Sequence, residues 1–255
     1  MTPTFDERTD ALVHAARSQP GVVGLVLLGS AAEAHRRDEW SDHDFFVVAR
    51  PGAADEVRDV RAWLPDVDDV AALAREGEIG FSVLYRDGHV LEFAAATAAE
   101  LDGAALVHHR VVFDDGSVAA LVAASQDRAA RAVALDPANE TALFLVKVLL
   151  GVGRARRGEV LSGGQLVRQW ATQHLVRAVR ERLPSPTDPE RIDPARRFEA
   201  AYPEIGARLG AALARPVEEA ARDLHQLCRE VLEPGWDDFP SAGADAVAHR
   251  LGWDG

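Results

Sequence analysis

Two aspartates one residue apart, Asp42 and Asp44, stand directly before the apolar run Phe45-Phe46-Val47-Val48. Side chains on a strand alternate faces with period two, so an Asp-x-Asp pair projects both carboxylates from one face. Two such charges repel each other unless a cation lies between them. That is a poor arrangement for stability and a good one for Mg²⁺, which usually takes one or two carboxylates together with substrate phosphates. Two ions held about 3.5–4 Å apart can stabilise both the attacking and the leaving oxygen of an in-line displacement. This chemistry wants a third acidic group. Glu92 offers one, interrupting the strand-like run Val90-Leu91-Glu92-Phe93, where a carboxylate is costly to bury without a purpose.

Gly29-Ser30 supplies the other half of such a site. It closes the apolar run 22–28, and eleven residues separate Ser30 from Asp42. A glycine allows close approach of backbone to ligand. The N–H groups that follow, with the Ser30 hydroxyl, can hold phosphate oxygens. Arg36 and Arg37 lie in the intervening segment, as phosphate ligands or as solvated loop charges. Trp40, just before the aspartates, is placed to line the nucleotide site. Lys147, the only lysine, sits inside Leu143-Phe144-Leu145-Val146-Lys147-Val148-Leu149-Leu150, where it snorkels to water or meets an anion.

The elements that must position these residues can be read from periodicity. Helical spacing covers 6–18 and is stopped by Gln19-Pro20-Gly21. Buried strands are expected at 22–28 and 45–49, the second starting near Asp42, with a helix at 54–64. Strands at 79–85 and 89–95 flank the hairpin signal Arg86-Asp87-Gly88, and 107–113 reads as a last strand. From Ser117 onward only helical patterns remain, at 118–134, 139–156, 164–183, 203–214 and 217–232. The run Leu183-Pro184-Ser185-Pro186-Thr187-Asp188-Pro189 punctuates them. The layout is α/β first, then all-α.

Bulk properties narrow the partners. The 255 residues carry a formal net charge of −13, the opposite of the basic footprint that long nucleic acids require. A cationic or neutral small molecule fits better. No apolar run approaches the roughly 18 residues that span a bilayer. A single cysteine, Cys228, rules out a disulfide framework within the chain, and with no signal-peptide pattern at residues 1–10 the expectation is a cytoplasmic protein. Cys228 reads as a small core residue, Trp170 and Trp236 as packing residues, and His108 and His109 as structural.

Gly29-Ser30 … Asp42-x-Asp44 resembles the signature of the polymerase-β-like nucleotidyltransferase superfamily. That signature is an apolar residue, Gly, Gly or Ser, roughly nine to thirteen residues, then Asp-apolar-Asp/Glu-apolar. Within it, residues 28–50, residues 84–93 and Arg157-Gly158-Glu159 are most similar to lincosamide nucleotidyltransferases and, more distantly, to aminoglycoside adenylyltransferases. The resemblance implies an α+β chain. A small mixed-sheet nucleotidyltransferase domain over 1–116 would precede an all-α helical-bundle domain over 117–255 that helps to form the acceptor site and a homodimer. It implies Mg²⁺-dependent transfer of NMP, AMP from ATP, to a hydroxyl of a small molecule, an antibiotic of lincosamide or aminoglycoside type. Asp42 and Asp44 would bind two Mg²⁺ ions, and Glu92 would be the third metal ligand or the general base. Gly29, Ser30 and Arg36 would meet the triphosphate, joined by Lys147 from the helical half.

Two departures stand out. The second glycine that many relatives carry after Gly-Ser is missing from Ala31-Ala32-Glu33-Ala34-His35-Arg36-Arg37, and His43 replaces an aliphatic residue between the aspartates. On a strand His43 faces away from the metals, as a hydrogen-bonded core histidine. The competing expectations are a non-catalytic nucleotide-binding or antitoxin-like module, and an enzyme nucleotidylating a biosynthetic intermediate or a protein.

Overall fold

The computed structural model describes residues 3–131, 134–185 and 193–254. Most of the proline-rich stop after Leu183, and positions 132 and 133 of the helix expected over 118–134, lie outside the described residues. The chain divides into two compact units, Met1–Ala132 and Val133–Gly255.

The first unit opens with α1 (Phe5–Ser18). Its start is fixed by a reciprocal cap: the Thr4 hydroxyl accepts the Glu7 N–H while the Glu7 carboxylate accepts the Thr4 N–H. There follow β1 (Val22–Leu28), the short α2 (Gly29–Ala32), a 3₁₀ turn (Ala34–Arg36), β2 (His43–Ala49) and α3 (Ala54–Arg58). Then come β3 (Val70–Glu76), β4 (Gly80–Tyr85), β5 (Val90–Thr97), β6 (His109–Asp114) and α4 (Ser117–Arg131). The sheet order is β3-β4-β5-β2-β1-β6. Among the described residues only β2 and β5 run parallel and every other pair is antiparallel, so the sheet is mixed and the fold α+β.

Two elements differ from the sequence pattern. The helix expected over 54–64 ends at Arg58 and passes into a separate 3₁₀ turn, Val60–Ala62. Strand β3 was not anticipated, because Ala71, Ala72 and Ala74 favour helix. It forms because β4 offers a free edge to pair with, and it stays largely exposed there as the outer strand.

Alternation assigns the two faces of the sheet. Leu25, Leu27, Phe45, Val47, Phe81, Val83, Leu91 and Phe93 turn one way and pack with Leu12 and Ala16 of α1, Val57 of α3 and Trp63. Val26, Val48 and Ala96 turn the other way, against Val118 and Leu121 of α4. Burying each large apolar side chain contributes about 1.5–3 kcal/mol. Gly24 makes the α4 contact possible: a Cβ there would lie 2.4 Å from Val118 Cγ2. The composition shift at 116/117 marks where strands give way to helices; the compact units divide later because α4 packs on β1 and β6.

The second unit contains α5 (Pro137–Arg156), capped by the Asp136 side chain, and a continuous helical run over α6 (Val160–Gln165), a π-helical segment (Leu166–Ala171) and α7 (Thr172–Arg182). Then follow α8 (Phe198–Ala201), α9 (Pro203–Leu213), α10 (Val217–Leu232) and α11 (Ser241–Leu251). The sequence pattern did not anticipate α8 or α11. Helix α10 buries Val217, Ala220, Ala221, Leu224, Leu227, Cys228 and Leu232 on one stripe. Burial pushes the Cys228 thiol up to about 12, so it is an inert core residue. Trp236 packs against the same core, whereas Trp170 is substantially exposed. Among the described residues no helix is long and apolar enough to cross a membrane.

Two predictions follow from this packing. Gly24→Val should overpack the α4 contact and destabilise the first unit by about 1–3 kcal/mol in denaturant unfolding. In the second unit, burial lowers the pKa of His225, whose Nε2 donates to the Ala244 carbonyl at 3.0 Å. The unfolded chain therefore takes up a proton below about pH 6.5 that the folded chain refuses. Stability should be full above that pH and decline as pH falls toward the depressed folded value. His225→Gln keeps a donor and does not titrate, so its stability profile between about pH 7 and 5 should be flatter than wild type.

Candidate functional site

The site is built where three strand ends meet. In the parallel pair β2/β5 Asp44 stands directly opposite Glu92. In the antiparallel pair β1/β2 Leu28 stands opposite Asp44. The start of β2, the start of β5 and the end of β1 therefore share one margin of the sheet. On the far face the Phe45 and Phe93 rings stack with centroids 4.6 Å apart, reinforcing that register. Asp42, immediately before β2, falls on the same face as Asp44. One carboxylate oxygen from each of Asp42, Asp44 and Glu92 lies within 4.8 Å of the others.

Asp42 and Asp44 are half-buried and Glu92 is exposed. This corrects the expectation that Glu92 is costly to bury. Its neighbours Leu91 and Phe93 point into the opposite core, and alternation turns Glu92 to the open side. The donor set is all oxygen and all anionic, which suits a hard divalent cation such as Mg²⁺.

Gly29 borders this cluster. It takes φ +53°, a left-handed conformation that disfavours other residues, and a Cβ there would stand 3.8 Å from Asp44 Oδ2. Its N–H is already committed, donating to the His108 carbonyl at 2.8 Å. Ser30 is 6% exposed, and its hydroxyl donates to the Asp42 carbonyl at 3.4 Å. Arg37 is bound into the protein: Nε donates to the Ser30 carbonyl at 3.1 Å and Nη1 pairs with Asp6 at 2.5 Å. The Arg36 side chain is 8% exposed and 3.8 Å from Glu33. Lys147 is half-buried on α5, in the second unit.

His43 is fully buried on the opposite face from the aspartates that flank it. The Thr9 hydroxyl donates to the Phe5 carbonyl at 3.0 Å, so at 2.8 Å from His43 Nε2 it accepts. That fixes the tautomer: Nε2 carries the proton and Nδ1 accepts from His89 Nε2 at 2.8 Å. Burial, reinforced by His89, pushes His43 down to about 3, so the ring is neutral. His108 Nδ1 lies 3.4 Å from Glu33, and His109 stands opposite Leu28 with its Nδ1 buried and without a hydrogen-bond partner among the described residues.

Sequence reasoning missed Glu76 and Ser82. Ser82 is paired directly with Glu92 across β4/β5, and its hydroxyl donates to Glu76. Counting back from the Arg86-Asp87-Gly88 turn would have found that pairing. A groove of about 240 Å³ runs here, lined by Leu28, Asp44, Phe46, Glu76, Ser82 and Glu92 among others. A larger cleft of about 460 Å³, at Asp55, Arg58, Asp59, Arg75 and Glu78, includes none of the converging carboxylates. Convergence of donors, not volume, marks the site.

No protein-family model matches the sequence, and no curated protein matches it. Among solved structures the chain is similar to an aminoglycoside 6-adenyltransferase from Bacillus subtilis, at 11% identity and a TM-score of 0.32, over 98% of this chain and 92% of that one.

Mg²⁺ or Mn²⁺ at about ten times its Kd should raise the melting temperature of the wild type by roughly 2–5 °C. Asp44→Asn should abolish that response. A wild type whose melting ignores both cations would mean that these carboxylates hold none.

Proposed function

We propose that the protein is a divalent-metal-dependent nucleotidyltransferase that moves a nucleoside monophosphate, AMP from ATP, onto a hydroxyl of a small-molecule acceptor. The observation that carries this reading is the convergence of Asp42, Asp44 and Glu92 from two parallel strands, bordered by the side-chain-free surface of Gly29. Such an arrangement costs electrostatic free energy in the unbound protein and suits a cation with its phosphate ligands.

Asp42 and Asp44 would hold Mg²⁺, which when bound neutralises the triphosphate and orients its α-phosphorus. Gly29 and Ser30 are assigned to the triphosphate, with Arg36 beside them. Trp40, 84% exposed two residues before Asp42, is assigned as a platform for the nucleobase. Glu92, at the exposed rim, accepts the acceptor's hydroxyl proton or completes the oxygen shell of the cation. The acceptor oxygen bonds to the α-phosphorus, the bond from that phosphorus to its bridging oxygen breaks, and pyrophosphate leaves.

The acidic lining of the adjoining groove, Asp44, Glu76 and Glu92, supports an amine-bearing acceptor, which covers both lincosamides and aminoglycosides. The net charge of −13 points the same way. Acceptor recognition and dimer contacts are assigned to the helical unit on the family resemblance.

Incubation with ATP, Mg²⁺ and a panel of both antibiotic types should yield an adduct heavier by one AMP in mass spectrometry, with pyrophosphate released. Asp42→Asn or Asp44→Asn should lower turnover by roughly 10³-fold. Wild-type rate in either variant, or no adduct and no pyrophosphate with any acceptor, overturns the assignment.

A further inference from the structure

A side-chain stack centred on the buried His43 ring joins the two halves of the proposed site. On the phosphate side Arg37 donates to the Ser30 and Ala31 carbonyls, at 3.1 and 3.4 Å, and so grips the Gly29–Ser30 turn from behind. Its guanidinium lies 4.6 Å from the centroid of the Phe5 ring. Phe5 in turn stacks on His43, with centroids 3.8 Å apart and planes 15° from parallel. His43 sits between Asp42 and Asp44 in sequence. It is tied to α1 through Thr9 and to the residue before β5 through His89. The hydrogen bonds run in one direction, from His89 to His43 to Thr9 to the Phe5 carbonyl, so the ring cannot flip without breaking both of its own.

We propose that His43, with Phe5 and Arg37, is a positioning element that holds the Gly29–Ser30 turn, the start of β2 and the start of β5 in one fixed relation, so that the three carboxylates stay converged before cation or nucleotide arrives. This rests on the nucleotidyltransferase reading and deepens it. Unclamped, mutually repelling carboxylates spread, and apparent affinity falls by the fraction of molecules in which they remain converged. An aliphatic residue at 43 would keep the burial and lose both directed bonds.

The test uses the full chain with His43→Leu and Thr9→Val, singly and together, and Asp42→Asn as the reference for a lost metal site. Mn²⁺ affinity is read by calorimetry, folding by thermal melting, and function by the Mg²⁺ concentration that half-saturates turnover. The Mn²⁺ Kd should rise about 5–20-fold in His43→Leu and less in Thr9→Val. The double variant should be no worse than His43→Leu, because both act through one bond. His43→Gln, which restores a donor toward Thr9, should recover part of the affinity.

A folded His43→Leu with wild-type Mn²⁺ affinity overturns this inference; if Asp42→Asn has meanwhile lost Mn²⁺ binding, the nucleotidyltransferase reading stands. A wild type that binds no Mn²⁺ overturns both. Should His43→Leu not fold, unchanged affinity in both Thr9→Val and His43→Gln overturns the inference by itself.

Discussion

Like charges packed together must be held there by something else. Two unit charges 4.8 Å apart, the limit for the oxygens of Asp42, Asp44 and Glu92, repel by about 1 kcal/mol in water and roughly 3–4 kcal/mol in an effective dielectric near 20. The sheet supplies the restraint. Asp44 faces Glu92 because β2 and β5 run parallel in that register, and Phe45 stacks on Phe93 on the reverse side of the same residues. A slip of one residue would turn the carboxylates into the core and expose both rings. The apolar face thus pins the acidic face, and the strands can be regular only if the carboxylates converge.

The open face of the sheet is divided lengthwise. At one end Val26, Val48 and Ala96 lie beneath α4, brought close by Gly24. At the other end the same alternation delivers Asp44, Glu92 and Leu28 beside the Gly29 turn. One helix therefore anchors half of the face and leaves the remainder open as the groove along Ser82 and Glu76. On the reverse face, His43 occupies a position that packing alone could fill, and instead spends both ring nitrogens on partners in other elements.

Much of this was legible in the sequence, for reasons tied to particular residues. The buried strands around 22–28 and 45–49 are nearly continuous apolar runs, and Arg86-Asp87-Gly88 is a local turn signal, so β1, β2 and the β4–β5 hairpin emerge from short-range pattern. The period of two put Asp42 with Asp44 and turned His43 away. What stayed hidden depends on partners distant along the chain. Strand β3 is alanine-rich and takes its conformation from the β4 edge. Glu92 reads as a buried charge only until β5 is seen to have one open face. Thr9, His89 and Phe5 carry no mark of their own; only the fold brings them to His43.

On the proposed function these three carboxylates form one divalent-cation pocket serving a nucleotide. Its most direct test is a crystal structure with Mn²⁺ and a non-hydrolysable ATP analogue, with an anomalous difference map collected at the manganese edge. One or two peaks are expected about 2.0–2.2 Å from oxygens of Asp42, Asp44 or Glu92, with phosphate oxygens completing the shell. Nucleotide bound elsewhere, or manganese peaks remote from all three residues, would contradict the proposed function.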